Sequence, residues 1–147
     1  MQGALRTNRP SWTLVDTPAS SRRFSRTGDP VRICFDLETP GLDELTADIV
    51  GWAFCWEPGH GWYLPVRAPQ GSKLLDPDTV RDACAGDRNP EIEKTNQNIK
   101  YDMLVLRRAG LELAGIGVDP MIGHFLLDAG ARSHSLAALS EKYSTTP

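Results

Sequence analysis

The sequence predicts a single α/β domain, and the pattern of a few apolar runs predicts it. A β-rich run over 31–37 is followed by two more strand-like runs over 48–56 and 61–66, and an amphipathic helix then occupies 98–109. The first run, Val31-Arg-Ile-Cys-Phe-Asp-Leu37, is rich in β-formers, and Gly41 with Asp43 supplies turn chemistry behind it. Glu57-Pro-Gly-His60 reads as a turn between the second and third runs, so the three strands follow one another as an antiparallel meander.

In the helix, Ile99, Met103 and Leu106, with Leu104 beside them, fall on one apolar side, and Gly110 supplies the stop. The other segments are weaker. Residues 18–30 are polar around a lone large apolar side chain, Phe24, and read as a linker or weak helix. Asp76 followed by Pro77 offers a capped helix start, but the run fails over 83–90, so that helix is short. Residues 121–127 and 135–143 are short helical segments, the second capped by Ser133 or Ser135. The expected division is an N-terminal extension over 1–30, with a weak strand or helix and a polar linker, and a body over 31–147.

At 147 residues and 40% hydrophobic content the chain buries one core. Sixteen Lys and Arg against nineteen Asp and Glu give a net charge of -3, which excludes overall basicity as a way of holding nucleic acid. Any such contact has to be local. The first 32 residues are locally basic, with Arg6, Arg9, Arg22, Arg23, Arg26 and Arg32 against Asp16 and Asp29, as a solvated terminus also is. The three cysteines, Cys34, Cys55 and Cys84, match neither a disulfide framework nor a zinc ribbon, which implies a reducing, cytoplasmic setting. Cys34 and Cys55 lie in apolar runs and are expected in the core. No apolar run approaches a membrane span and no signal peptide opens the chain, so a soluble, unexported protein with no membrane partner is expected.

The chemistry lies in carboxylates. Asp36 and Glu38 are two apart in a strand, so both project from the same face at its carboxyl end. Beside Ile33, Cys34, Phe35 and Leu37 they repel each other and resist burial unless a cation sits between them, which magnesium or manganese would supply. Equally, one of them starts a turn and the other pairs with an arginine. Asn98 and Asp102 are four apart and share a helix face, although an N-cap and a first-turn acid account for both. A third carboxylate brought over Asp36 and Glu38 would complete much of a two-metal site for phosphodiester cleavage.

Taken together, five blocks resemble a known family: Ile33-Cys-Phe-Asp-Leu-Glu-Thr-Pro-Gly-Leu-Asp43, Ala47-Asp-Ile-Val-Gly-Trp-Ala-Phe54, Gly61-Trp-Tyr-Leu-Pro-Val66, Asn96-Gln-Asn-Ile-Lys-Tyr-Asp102 and Leu126-Leu-Asp-Ala-Gly-Ala-Arg-Ser-His-Ser-Leu136. Their order and spacing, from about Trp12 to Tyr143, resemble the 3'-5' proofreading exonuclease domain of bacterial DNA polymerase I, within the DEDD exonucleases. The resemblance implies a ribonuclease H-like mixed sheet, an antiparallel meander plus parallel strands, flanked by helices. It implies that Asp36, Glu38 and Asp102 hold paired Mg2+ or Mn2+ ions and are catalytic, and that water is the nucleophile. Leu42 is then the apolar wedge against the terminal base, and Thr39, Gln97, Asn98 and Tyr101 contact the last nucleotides of a single-stranded DNA 3' end. A DNA polymerase chain is the implied partner.

This sequence departs from the family pattern in places. The fourth acidic ligand and the water-orienting tyrosine belong to a third motif that residues 1–147 do not reach, which leaves the expected domain C-terminally incomplete, as in a truncated gene or a fragment of a split one. Tyr143 has no acid four residues after it and does not substitute; His124 reads as a helix-surface residue and His134 as a turn residue. Pro40 removes a backbone donor near the site, and the segments over 18–30 and 81–90 are more polar than the helices the family has there. Two functions are therefore carried forward: a 3'-5' exonuclease, and an inactive remnant that only binds nucleic acid or a polymerase. Lost helices would expose apolar sheet surface, so aggregation or dimerisation is expected.

Overall fold

The protein is described as a computed structural model, which covers residues 10–24, 30–83 and 89–143. Strands β1 (Ser11–Leu14), β2 (Arg32–Glu38), β3 (Gly51–Glu57), β4 (His60–Pro65) and β5 (Glu93–Thr95) form a mixed sheet in the order β1-β4-β3-β2-β5. The expected meander is present as the antiparallel β2-β3-β4 unit, and parallel strands flank it: β1 on β4 and β5 on β2. Helices α1 (Pro18–Phe24), α2 (Pro77–Ala83), α3 (Ile99–Arg108), α4 (Pro120–Leu127) and α5 (Leu136–Tyr143) complete the described elements.

Strand β2 alternates without a fault: Ile33, Phe35 and Leu37 are buried, while Arg32, Cys34, Asp36 and Glu38 are exposed. The buried parity joins Trp52 and Phe54 of β3, Leu64 of β4, Val80 of α2, and Ile99, Val105 and Leu106 of α3 in one core. Each such side chain taken fully out of water stabilises the fold by about 1.5–3 kcal/mol. Phe24 of α1 closes this core at one end, its ring centroid 5.6 Å from Phe54, 5.5 Å from Trp56 and 5.8 Å from Trp62. The polar 18–30 segment thus does hold a short helix, anchored by its lone phenylalanine, and Ser11–Leu14 ahead of it lies in the sheet.

Strand parity corrects the reading of the cysteines. Cys34 shares its face with Asp36 and Glu38 and is exposed, and its register partner Cys55 is half-buried, so neither belongs to the core. Both are free thiols, and burial against the sheet pushes the Cys34 thiol up. Cys84 lies outside the described residues. Strand β5 had no sequence signal: it is three residues long and carries a charged residue, Lys94, that is fully buried with its Nζ donating to the Asn89 carbonyl at 2.6 Å.

Helix ends follow local chemistry. Asp76 Oδ2 accepts the Thr79 amide at 2.8 Å and starts α2, whose expected break over 83–90 lies partly outside the described residues. Ser135 Oγ accepts the Ala138 amide at 3.3 Å and starts α5. At α3 the expected geometry is corrected: Asn98 is in the left-handed region, φ 58°, ahead of the first helical residue, and its side chain makes no cap. The i, i+4 relation to Asp102 therefore does not apply. Asp119 caps in its place, accepting the Asn98 amide at 3.1 Å and the Ile99 amide at 3.0 Å, and it also accepts the Met121 amide at 2.9 Å at the start of α4.

One buried carboxylate thus seats two helices. Asp119→Ala is expected to cost about 2–3 kcal/mol in urea unfolding, since two helix starts lose charge-assisted bonds, and Asp119→Asn to cost less. A loss below about 0.5 kcal/mol would contradict the double cap.

Candidate active site

The carboxyl end of β2 and the first turn of α3 face one cleft of about 640 Å³. Asp36, Glu38, Thr39, Leu42, Gln97, Asn98, Tyr101 and Asp102 all line it, so the residues expected from the sequence are brought together. Asp36 and Glu38 project from the face of the sheet that the core does not use, and Asp102 approaches from α3, almost fully buried at 2% exposure.

Asp102 is held in place by donors. Its Oδ1 accepts the Leu37 amide at 3.1 Å and its Oδ2 accepts Asn96 Nδ2 at 2.7 Å. Burial, and next the charge of Asp36, push its pKa up to about 7 despite those bonds. Asp36 is also raised, by burial first and then by Glu38, while Asn96 and the Leu37 amide pull it back. Among the described residues no Lys, Arg or His makes an ion pair with any of the three. The carboxylates therefore carry an uncompensated negative field, and their hard oxygens suit magnesium or manganese. As they stand, no three His, Cys, Asp or Glu side chains among the described residues form a ready metal cage, and both Asp102 oxygens are engaged, by Leu37 and by Asn96.

The rim is braced from within. Thr39 Oγ1 and Tyr101 Oη lie 2.7 Å apart, each 2.8 Å from the Gly41 carbonyl, so the two hydroxyls pin the loop after β2. That loop holds Leu42 out at 93% exposure, while Pro40 stands exposed beside it. Gln97 Nε2 donates to the His134 carbonyl at 2.7 Å, leaving its buried Oε1 with no partner among the described residues. His134 and His124 touch through their Nδ1 atoms at 2.7 Å, and His124 is buried at 5% exposure, which corrects its reading as a surface residue. Phe125, Leu126 and Leu136 are exposed on α4 and α5, while buried His124 lies 3.3 Å from the Nζ of Lys142 and 5.7 Å, between ring centroids, from the exposed Tyr143.

Sequence reasoning missed Asn96 and Asp119. Asp119 carried a signal, an acid directly before the helix-starting Pro120; Asn96 carried none, since only the fold brings it to Asp102.

A family model described as 3'-5' exonuclease matches residues 15–147. The chain belongs to the 3'-5' exonuclease family. Within it the chain is of the DNA polymerase I type: it is 32% identical over 116 residues to DNA polymerase I of Synechocystis sp., covering 76% of this chain and 11% of that one. It is 33% identical over 119 residues to DNA polymerase I of Pseudomonas aeruginosa, again covering 76% of this chain and 13% of the relative. The chain thus spans roughly a tenth of the length of these polymerases. In fold, this exonuclease-family chain is similar to Brucella melitensis NrnC bound to pGG, with a TM-score of 0.68 at 17% identity over 92% of this chain and 61% of that one. It is also similar to the POL domain of Pol1 from M. smegmatis in complex with DNA primer-template and dNTP, with a TM-score of 0.64 at 22% identity over 90% and 22%.

The raised Asp102 pKa has a testable sign. A carboxyl that keeps its proton in the folded chain after the unfolded chain has lost it gives stability in full below 3.8, and this is lost as pH rises through about 7. Asp102→Asn removes the titrating group, so in chelator it is expected to flatten that part of the pH profile of stability. Thermal melts across the range check this; a variant whose stability still falls between pH 4 and pH 8 as steeply as the parent's would contradict it.

Proposed function

We propose that the chain hydrolyses the phosphodiester bond at the 3' end of single-stranded DNA, with Asp36, Glu38 and Asp102 holding two divalent cations, Mg2+ or Mn2+. The supporting observation is the convergence of these carboxylates, none ion-paired among the described residues, in a cleft whose rim carries an exposed leucine. Bound there, the cations would lower the pKa of the attacking water and stabilise the leaving 3' oxygen. The chain's own residues do the rest.

Leu42, held out by the Thr39–Tyr101 brace, packs against the terminal base and parts it from its neighbour. Gln97 and Asn98, at the irregular entry to α3, contact the last nucleotide. Water adds to the phosphorus, the bond to the 3' oxygen breaks, and a nucleoside monophosphate leaves the strand end. With a net charge of -3, the grip is local and selects a frayed single strand by stacking and wedging rather than by long-range attraction. The activity serves replication and repair alongside a DNA polymerase chain in the cytoplasm. No helix among the described residues is long and apolar enough to cross a membrane.

One observation favours a second reading, a chain that binds nucleic acid or a polymerase without cutting: the carboxylates do not stand as a ready cage among the described residues. End-labelled single-stranded DNA separates the two readings. With Mg2+ or Mn2+, release of 3'-terminal mononucleotides is expected from the parent, at background from Asp36→Ala, and absent from circular strands. No release by either protein would sink the enzyme reading. If Leu42 is the wedge, Leu42→Ala should raise KM about tenfold with kcat little changed, the loss of one leucine contact; an unaltered KM would remove it from the site.

A further inference from the structure

The outward face of the sheet continues past the carboxylates. Cross-strand partners share a face, and the register sets Leu14, Tyr63, Ala53 and Asp36 in one row across β1, β4, β3 and β2, with Pro65, Gly51 and Glu38 in the next. On that face β3 carries small residues, Gly51, Ala53 and Cys55, between Tyr63 on one side and Asp36 with Glu38 on the other. The result is a trough of about 500 Å³, lined by Trp12, Cys34, Ala53, Cys55, Gly61 and Tyr63, that shares Asp36 with the cleft. Gly51 shapes one end of it. A β-carbon there would collide with Oη, Cζ and Cε2 of Tyr63, so the tip of the Tyr63 ring lies over the Gly51 backbone, directly across from Glu38. A glycine inside a strand marks such a close approach. Trp12, 71% exposed, pairs in register with Gly61, which makes it the diagonal neighbour of Tyr63, within reach of an aromatic side chain.

This trough offers nothing basic to a phosphate: Asp36 is the one charged side chain among its described lining residues. It does offer two aromatic rings above a floor of small residues, and every base has a π-face that stacks on such rings whatever the sequence. The shared Asp36 makes trough and cleft continuous, so a strand whose 3' end lies among the carboxylates runs directly onto β3. We propose that the trough is a second nucleotide subsite, in which the base next to the 3'-terminal one stacks between Tyr63 and Trp12 while the phosphates face solvent. This rests on the single-strand reading of the cleft: Leu42 parts the terminal base from its neighbour, and the trough receives that neighbour.

The test is fluorescence anisotropy of a 5'-labelled thymidine tetranucleotide titrated with the full 147-residue chain, in EDTA and again with Ca2+ to screen the carboxylates. A second probe carries an abasic sugar at the position next to the 3' end. Tyr63→Ala is expected to weaken binding of the intact strand about 5- to 100-fold, the loss of one base–aromatic stack, and Tyr63→Phe to keep it. The abasic strand is expected to bind the parent as weakly as the intact strand binds Tyr63→Ala, and the two losses not to add, since each removes the same contact. Trp12→Ala, at an exposed position outside the core, is expected to weaken the intact strand and not the abasic one, and it provides the measurement if Tyr63→Ala does not fold. Either alanine variant binding the intact strand as the parent does, or an abasic penalty that persists in full in these variants, overturns this inference alone. So does a parent that light scattering shows to be a dimer and that Trp12→Ala makes monomeric, which assigns the face to a second copy. A parent that binds the intact tetranucleotide under neither condition overturns the single-strand reading and this inference together.

Discussion

Asp102 accepts the Leu37 amide at 3.1 Å, and that bond fixes the first turn of α3 against the carboxyl end of β2. It exists because β5 is short. The parallel β5–β2 ladder runs only from Arg32 to Cys34, and the chain then leaves through Asn96 to Asn98, so the Leu37 amide has no partner in β5. A buried amide without an acceptor costs about 1–3 kcal/mol, and Asp102 removes that cost at the expense of its own burial. The same step that completes the backbone bonding of β2 therefore places a third carboxylate beside Asp36 and Glu38.

That arrangement stores an electrostatic conflict. Asp102 is taken almost wholly out of water beside Asp36, and its pKa rises to about 7 as a result. Nothing cationic among the described residues relieves it; the arginines on the other side of α3 are spent on Asp48, with Arg108 at 3.2 Å and Arg67 at 2.7 Å. In the proposed metal-bound state a small hard cation would relieve that conflict, which would couple the stability of the site to its chemistry. The brace of Thr39, Tyr101 and Gly41 adds a rigid rim, so the exposed Leu42 is presented by hydrogen bonds rather than left on a loose loop.

Much of this was readable from residue order. The period of two in 31–37 gave the outward pair Asp36 and Glu38, and Pro58-Gly59 gave the turn of the meander. What local pattern could not supply was anything decided at a distance. Strand β5 is three residues and holds together through its neighbours β2 and Ile116, so no window of sequence marks it. Cys34 looked like core because its neighbours are apolar, but parity with Asp36 outranks neighbourhood in a strand. Asn98 looked like a helical residue because four positions separate it from Asp102, yet Asp119, twenty-one residues later, takes its amide and leaves it in a left-handed turn. His124 was read as surface from a short helical run, and its burial depends on α5 and His134, which only the tertiary fold brings near.

The central claim is that Asp36, Glu38 and Asp102 jointly hold a divalent cation, and anomalous scattering from crystals soaked in Mn2+ tests it most directly. The account predicts a strong anomalous peak enclosed by these three carboxylates, with the Asp102 side chain drawn toward it. Mn2+ ordered elsewhere in a well-diffracting crystal, with this cleft empty and Asp102 still bonded to Leu37 and Asn96 alone, would contradict it.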